Sequence, residues 1–211
     1  HCRVYRAEIM RLRGAWAEAE EEVRRACEEL RPWSPMFTGE GFNELGEIRL
    51  RTGDYAAARE AFQMAEELGA TPQPGLAMLD LAEGNIGAAT AGVKGALDES
   101  TWDRLRRARL LPVRAMIALA SGDIASARDA ADELEAIAEA FQSSAITASA
   151  GCVRGAVQLA EGDPASATNT LRRALRLWQE VEAPYEAAEC RVVLARSYVA
   201  AGDEEGAGRG Q

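Results

Sequence analysis

One phrase recurs six times along this chain: a short break, a glycine, then an alanine-rich helical stretch. It stands at Arg13-Gly14-Ala15, Thr52-Gly53-Asp54, Glu83-Gly84-Asn85, Ser121-Gly122-Asp123, Glu161-Gly162-Asp163 and Ala201-Gly202-Asp203. The glycines follow one another at intervals of 39, 31, 38, 40 and 40 residues. A period of about 30–40 residues with helical patterning on both sides specifies a solenoid of stacked helix pairs. Folds of this kind present extended surfaces to partners, so the repeat narrows function to binding before any single residue is considered.

The residues after each glycine define the second helix of each pair. Five positions on stand Ala19, Ala58, Ala89, Ala127, Ala167 and Ala207. Nine on stand Val23, Phe62, Val93, Ala131 and Leu171, and twelve on Ala26, Ala65, Ala96, Leu134 and Ala174. These offsets share one helical face. Alanine at the first lets two helices approach closely, and the bulkier residue at the second fills the space between them. The glycine is expected to end the preceding helix in the left-handed conformation, and the Asp or Asn after it to cap the next.

The run Leu45-Gly46, Gly53-Asp54-Tyr55, Ala58, Phe62 and Ala65, echoed by Leu194, Ala195 and Tyr198 before Gly202, resembles the tetratricopeptide repeat. The resemblance covers nearly the whole chain. It implies an all-α fold, an α–α superhelix of about five helix pairs plus a truncated sixth, forming a single solenoid over residues 1–211. Four of the five intervals exceed the usual repeat of about 34 residues. This implies the lengthened helices of large bacterial regulators. The phrases Cys2-Arg3-Val4-Tyr5-Arg6-Ala7-Glu8, Glu44-Leu45-Gly46-Glu47-Ile48-Arg49, Pro72-Gln73-Pro74-Gly75-Leu76-Ala77 and Ala183-Pro184-Tyr185-Glu186-Ala187-Ala188 are similar to the repeat region of actinobacterial LuxR-type transcription regulators and related cyclase-linked proteins. In that family an NTPase or signalling module and a helix-turn-helix often flank the repeats. No glycine-rich loop followed by Lys-Ser or Lys-Thr and no basic recognition helix occurs in these residues.

The chain opens on His1 and closes on Gly-Arg-Gly-Gln soon after its sixth glycine. An excerpt of a longer protein is expected, with residues 203–211 a frayed tail. The 211 residues can bury a sizeable core. The formal net charge of −10 and the lack of a long basic run argue against direct nucleic-acid binding. Cys2, Cys27, Cys152 and Cys190 are scattered, and the only histidine is His1. Neither a metal cluster nor a cofactor is expected. The cysteines are read as small, mostly buried residues of a reducing cytoplasm. No signal peptide and no membrane-spanning apolar run is present. Arginine almost excludes lysine, Lys94 standing alone.

Periodicity predicts about eleven helices, near 2–13, 15–31, 38–52, 54–69, 74–83, 85–98, 101–121, 123–141, 144–161, 164–182 and 185–201. Breaks are expected at Pro32-Trp33-Ser34-Pro35 and across Gly69–Gly75, where prolines disfavour helix before them. Asp163-Pro164 reads as a cap and first-turn proline. Pro112 falls inside a helical pattern and is expected to kink it.

The sequence does not describe an enzyme. No internal histidine is present to serve as a base. Glu20-Glu21-Glu22 beside Arg24 and Arg25 form a solvated, mutually paired helix face. Two features mark a candidate concave binding surface. The first is the run Arg104, Arg106, Arg107, Arg109 and Arg114. Aligning the small residue seven before each glycine puts Ala115 at the helix contact and Arg106, Arg109, Pro112 or Val113, and Met116 on the groove stripe. Guanidinium groups there suit an acidic protein or peptide partner, such as an acidic segment of the same protein. The alternative is that these arginines pair within the chain or are simply solvated. The second is Glu40, Asn43 and Glu47 on the matching stripe of the second repeat. There Asn43 can bond a peptide backbone, while the two glutamates argue against a carboxylate clamp. Trp16, Trp33, Trp102 and Trp178 are expected to anchor core or loops. The function expected is a non-enzymatic, cytoplasmic protein-interaction or regulatory scaffold module of a larger bacterial regulator. Effector sensing in the superhelix cavity and self-association as a homo-oligomer are the alternatives.

Overall fold

The computed structural model describes the backbone of residues 2–208 and the side chains of residues 2–202. Eleven helices follow one another among them: α1 (Cys2–Leu12), α2 (Trp16–Leu30), α3 (Pro35–Thr52), α4 (Tyr55–Glu67), α5 (Gly75–Ala82), α6 (Ile86–Glu99), α7 (Arg104–Ala120), α8 (Ile124–Phe141), α9 (Ser144–Ala160), α10 (Pro164–Glu180) and α11 (Pro184–Gly208). No strand occurs among the described residues. The chain divides into two units, His1–Glu99 and Ser100–Gln211. In the first, α1 packs on α2, α3 on α4 and α5 on α6. In the second, α7 packs on α8, α9 on α10, and α11 against α10 and α9.

The glycine-anchored register accounts for the cores. The alanines five after each glycine, Ala19, Ala58, Ala89, Ala127 and Ala167, are closed to solvent, as are Val23, Phe62, Val93, Ala131 and Leu171 nine after. Seven residues before the glycines stand Ala7, Gly46, Ala77, Ala115 and Gly155, all buried. At Gly46 a Cβ would collide with the Phe62 ring, and at Gly155 it would lie 2.5 Å from Leu171 Cγ. The absence of a side chain therefore lets α3 close on α4 and α9 on α10. Burying a residue such as Phe62 or Leu171 contributes about 1.5–3 kcal/mol.

Helix ends follow the same register. Gly14, Gly53, Gly84, Gly122 and Gly162 have φ of 80°, 83°, 82°, 76° and 81°, the left-handed region in which only glycine is unstrained. The aspartates after three of them cap the next helix. Asp54 accepts from the Ala57 N–H at 3.1 Å, Asp123 from Ser126 at 3.0 Å and Asp163 from Ser166 at 3.0 Å. Hydrogen bonds from Ser126 and Ser166 hold the Asp123 and Asp163 carboxyls below the ordinary carboxylate range.

Three expectations are corrected. Gly202 is not left-handed, and α11 runs through it to Gly208. Among the described residues no separate second helix follows Gly202: a glycine inside a helix costs only about 1 kcal/mol. Of the expected frayed tail, 203–211, the backbone is helical to Gly208; residues 209–211 lie outside the described residues, as does the side chain of Ala207. Second, α3 starts at Pro35, three residues before 38, because Ser34 is extended and Pro35 takes the first helical position. Third, Trp33 and Trp102 anchor nothing, being 85% and 95% exposed. Trp16 and Trp178 do pack, each half-buried against a core cluster. As expected of a proline inside a continuous helical pattern, Pro112 lies within α7, with Leu110, Leu111 and Val113 buried around it.

Candidate binding surface

On α7 the five arginines separate by the direction each can reach. Asp103 caps the helix, accepting from the Arg106 N–H at 2.9 Å. Arg104 turns to α8: it donates to the Ala136 carbonyl at 3.1 Å, with its guanidinium 6.0 Å from the centre of the Phe141 ring. Arg107 forks onto Glu133 of α8, Nε to Oε1 and Nη2 to Oε2, the latter at 2.9 Å. That fork, foremost, holds the Glu133 carboxyl below its ordinary range, and Arg114 and Arg104 add to it. Two of the five thus serve the α7–α8 contact, and Arg114 reaches Glu133 only through its charge. The expected groove residues remain on another side. Arg106 is half-buried and Arg109 exposed, while Met116 is 44% and Leu105 51% exposed. Leu105, Arg109, Pro112 and Met116 stand at helical spacing on one stripe. Leu105 was not singled out in the sequence, although its place one turn before Arg109 shows it.

In the first unit the stripe on α3 is largely closed. Glu47 is buried and ion-paired with Arg51, which also donates to the Glu47 carbonyl at 3.1 Å. One Glu47 oxygen stands so close to Gly75 of α5 that a side chain there would strike it. Glu47 is therefore a packing residue and not an open groove position, because α5 covers it. Glu40 is half-buried, and its carboxyl is raised by burial and by the neighbouring Glu8. Asn43 is half-buried, and its Oδ1 is buried with no hydrogen-bond partner. Arg106, Arg109 and Met116 lie in one unit and Glu40, Asn43 and Glu47 in the other.

An ion pair more enclosed than that of Arg51 and Glu47 was not foreseen. Arg11 of α1 donates through Nε to Glu44 Oε1 of α3 at 2.5 Å, both side chains being at most 6% exposed. Burial outweighs the attraction of Arg11 and pushes the Glu44 carboxyl up to about 7. A signal existed. Three residues before the glycines the repeats read Arg11, Leu50, Leu81, Leu119, Leu159 and Val199, and nine before they read Tyr5, Glu44, Gly75, Val113, Val153 and Val193. Arg11 and Glu44 are the charged exceptions.

The second unit also brings two cysteines together, correcting the picture of four scattered ones. Cys152 of α9 packs against the cluster that contains Cys190 of α11. A cavity of about 350 Å³ opens in the first unit between α2, α3 and α4. Cys27, Leu45 and Ala61 form its floor, Phe42 and Met64 its walls, and Arg24, Arg31 and Arg49 line its mouth with Glu28 and Glu60. Among the described residues, no group of three or more His, Cys, Asp or Glu is placed to hold a metal ion, and no helix is long and apolar enough to cross a membrane.

No protein-family model matches the chain, and no curated protein matches it. Among solved structures, it is similar to the crystal structure of BtubC (BKLC) from P. vanneervenii, with a TM-score of 0.60 and 23% sequence identity. The match covers 92% of this chain and 85% of that one. At that identity the likeness concerns the fold alone, and with the eleven helices it makes this chain an all-α protein of repeated helix pairs.

Proposed function

We propose that this chain is a non-enzymatic protein-binding repeat that holds an acidic, partly apolar peptide along α7. The observation that carries it is the stripe Leu105, Arg109, Pro112 and Met116. It leaves the large apolar side chains of Leu105 and Met116 exposed on either side of Arg109, which is itself exposed. Exposed apolar groups flanking a charge suit a ligand that covers the former and pairs with the latter. The resemblance of the repeats to tetratricopeptide regions of LuxR-type and cyclase-linked regulators supports a cytoplasmic role as an interaction and signalling scaffold in bacterial transcription regulation. The natural partner is an acidic segment of the same protein or of another.

A fluorescent peptide alternating Glu and Leu, followed by anisotropy, tests the site. Binding is expected to weaken with salt, since exposed charges are screened over about 8 Å at physiological ionic strength. Arg109→Glu with Met116→Ser should abolish it without loss of helix. Unchanged affinity in a folded double variant would remove α7 from consideration. Effector sensing is the second reading, favoured by the cavity between α2, α3 and α4, whose apolar floor and charged mouth suit a small amphipathic molecule. Protection of Met64 from oxidation by a bound small molecule, with the α7 double variant inert, would favour that reading over the first.

A further inference from the structure

Cys152 on α9 and Cys190 on α11 both touch α10, and α9 and α11 also pack on each other. Trp178 Nε1 donates to Cys152 Sγ at 3.3 Å, and the Cys190 thiol donates to the Leu171 carbonyl at 3.5 Å. Cys190 sits in the cluster of Ala167, Leu171, Ala174 and Leu194, and Cys152 packs against it. Cys190 is closed to solvent, while Cys152 is half-buried and gives the pair its outlet. The neighbouring Cys190, ahead of burial, pushes the Cys152 thiol far up, and Cys152 in turn holds the Cys190 thiol below its ordinary range. Cys27 shows the contrast: burial, with Glu28 nearby, pushes its thiol up to about 11, the inert state of an isolated core cysteine.

We propose that Cys152 and Cys190 form a reversible oxidation site that closes into a disulfide between α9 and α11 when the chain meets a peroxide. The Cys190 thiolate attacks a peroxide oxygen. An S–O bond forms, the O–O bond breaks, and the departing hydroxide takes up a proton to leave as water. Cys152 sulfur then attacks the sulfenic sulfur of Cys190. The S–S bond forms, the S–O bond breaks, and the Cys152 proton leaves with the hydroxyl as a second water. Two thiols are oxidised and one peroxide is reduced. The link ties the last helix of the second unit to α9 across α10.

The test exposes the folded chain to hydrogen peroxide at neutral pH, alkylates the remaining thiols and maps the peptides by mass spectrometry. The expected product is one Cys152–Cys190 linked peptide, lighter by two hydrogens and restored by dithiothreitol, formed faster than Cys2 or Cys27 is consumed. Trp178 emission should fall as the link forms, the melting midpoint should rise by roughly 5 °C, and Cys152→Ser or Cys190→Ser should abolish both changes. Three results would overturn the proposal: sulfinic or sulfonic acid at these cysteines without a linked peptide, consumption of Cys2 while the pair stays reduced, or linkage only where circular dichroism shows the chain unfolded.

Discussion

The first-unit pair α1/α3 and the second-unit pair α7/α9 solve one packing problem with opposite chemistry. Three and nine residues before the glycine, the first unit places Arg11 and Glu44, ion-paired at 2.5 Å and nearly dry. The second unit places Leu119 and Leu159 at one position and Val113 and Val153 at the other, the valines buried. The backbone register accepts both, so these positions are set by shape and not by polarity. The difference lies in what each solution makes of a fault. An apolar contact that loses a methylene costs about 1 kcal/mol, whereas a buried charge that loses its partner is left without compensation.

The largest expected effect follows from that asymmetry. Glu44→Ala strands the Arg11 guanidinium and should lower stability by about 3–5 kcal/mol in urea unfolding, while Arg11→Leu with Glu44→Val should recover most of it. A double variant no better than the single would show that the pair does more than fill the register. The next effect is a dependence on pH. The folded-state carboxyl of Glu44 titrates at about 7, above its value in the unfolded chain. Its contribution to stability is therefore fully present below about 4.3 and is lost as pH rises through about 7. Amide exchange in α1 and α3 should quicken between pH 5 and 8 relative to α9 and α10, once the intrinsic rate is divided out, and Glu44→Gln should flatten the difference. Parallel trends in both units would break the comparison.

Two smaller substitutions ask whether the units agree where their chemistry is the same. Ala58→Arg and Ala127→Arg occupy matching contacts of the first and second units, both closed to solvent. Each should cost at least the 1–3 kcal/mol typical of overpacking, against little for Glu21→Arg on an exposed face. A large difference between the two would mean that the register is not equivalent. The smallest effect belongs to the caps. Asp54→Ala and Asp123→Ala should each lower the melting midpoint slightly. The Asp123 effect should vanish on acidification, since a carboxyl held below its unfolded value stabilises above that value and ceases to do so as pH falls through the folded one.

How much of this was legible follows from the kind of signal involved. Helix number and the contacts around Ala58, Phe62, Ala127 and Leu171 were written in a period that repeats, so each repeat corroborated the others. The end of α11 was misread at Gly202 because a glycine permits a left-handed turn without enforcing one. The α7 stripe was partly visible, but which arginines α8 would claim depended on Glu133 and Phe141, residues that carry no mark in the repeat. Cys152 and Cys190 lie far apart in sequence, and no local pattern says that two turns on different helices will meet. Arg11 and Glu44 were detectable as departures from the register, but only when the repeats are stacked column by column.

The close approach of α3 to α4 and of α9 to α10 has a consequence for how such a chain changes over generations. The residue seven before each glycine and the one nine after it form the couples Ala7 with Val23, Gly46 with Phe62, Ala77 with Val93, Ala115 with Ala131 and Gly155 with Leu171. The bare glycines stand opposite the two largest partners. Neither member of a couple is free to drift alone: enlarging Gly46 while Phe62 stays is barred, yet the exchange to Ala and Val together is already realised elsewhere in the same molecule. The heritable unit is the couple, and a repeat can be duplicated, moved or rebuilt so long as its two members travel together.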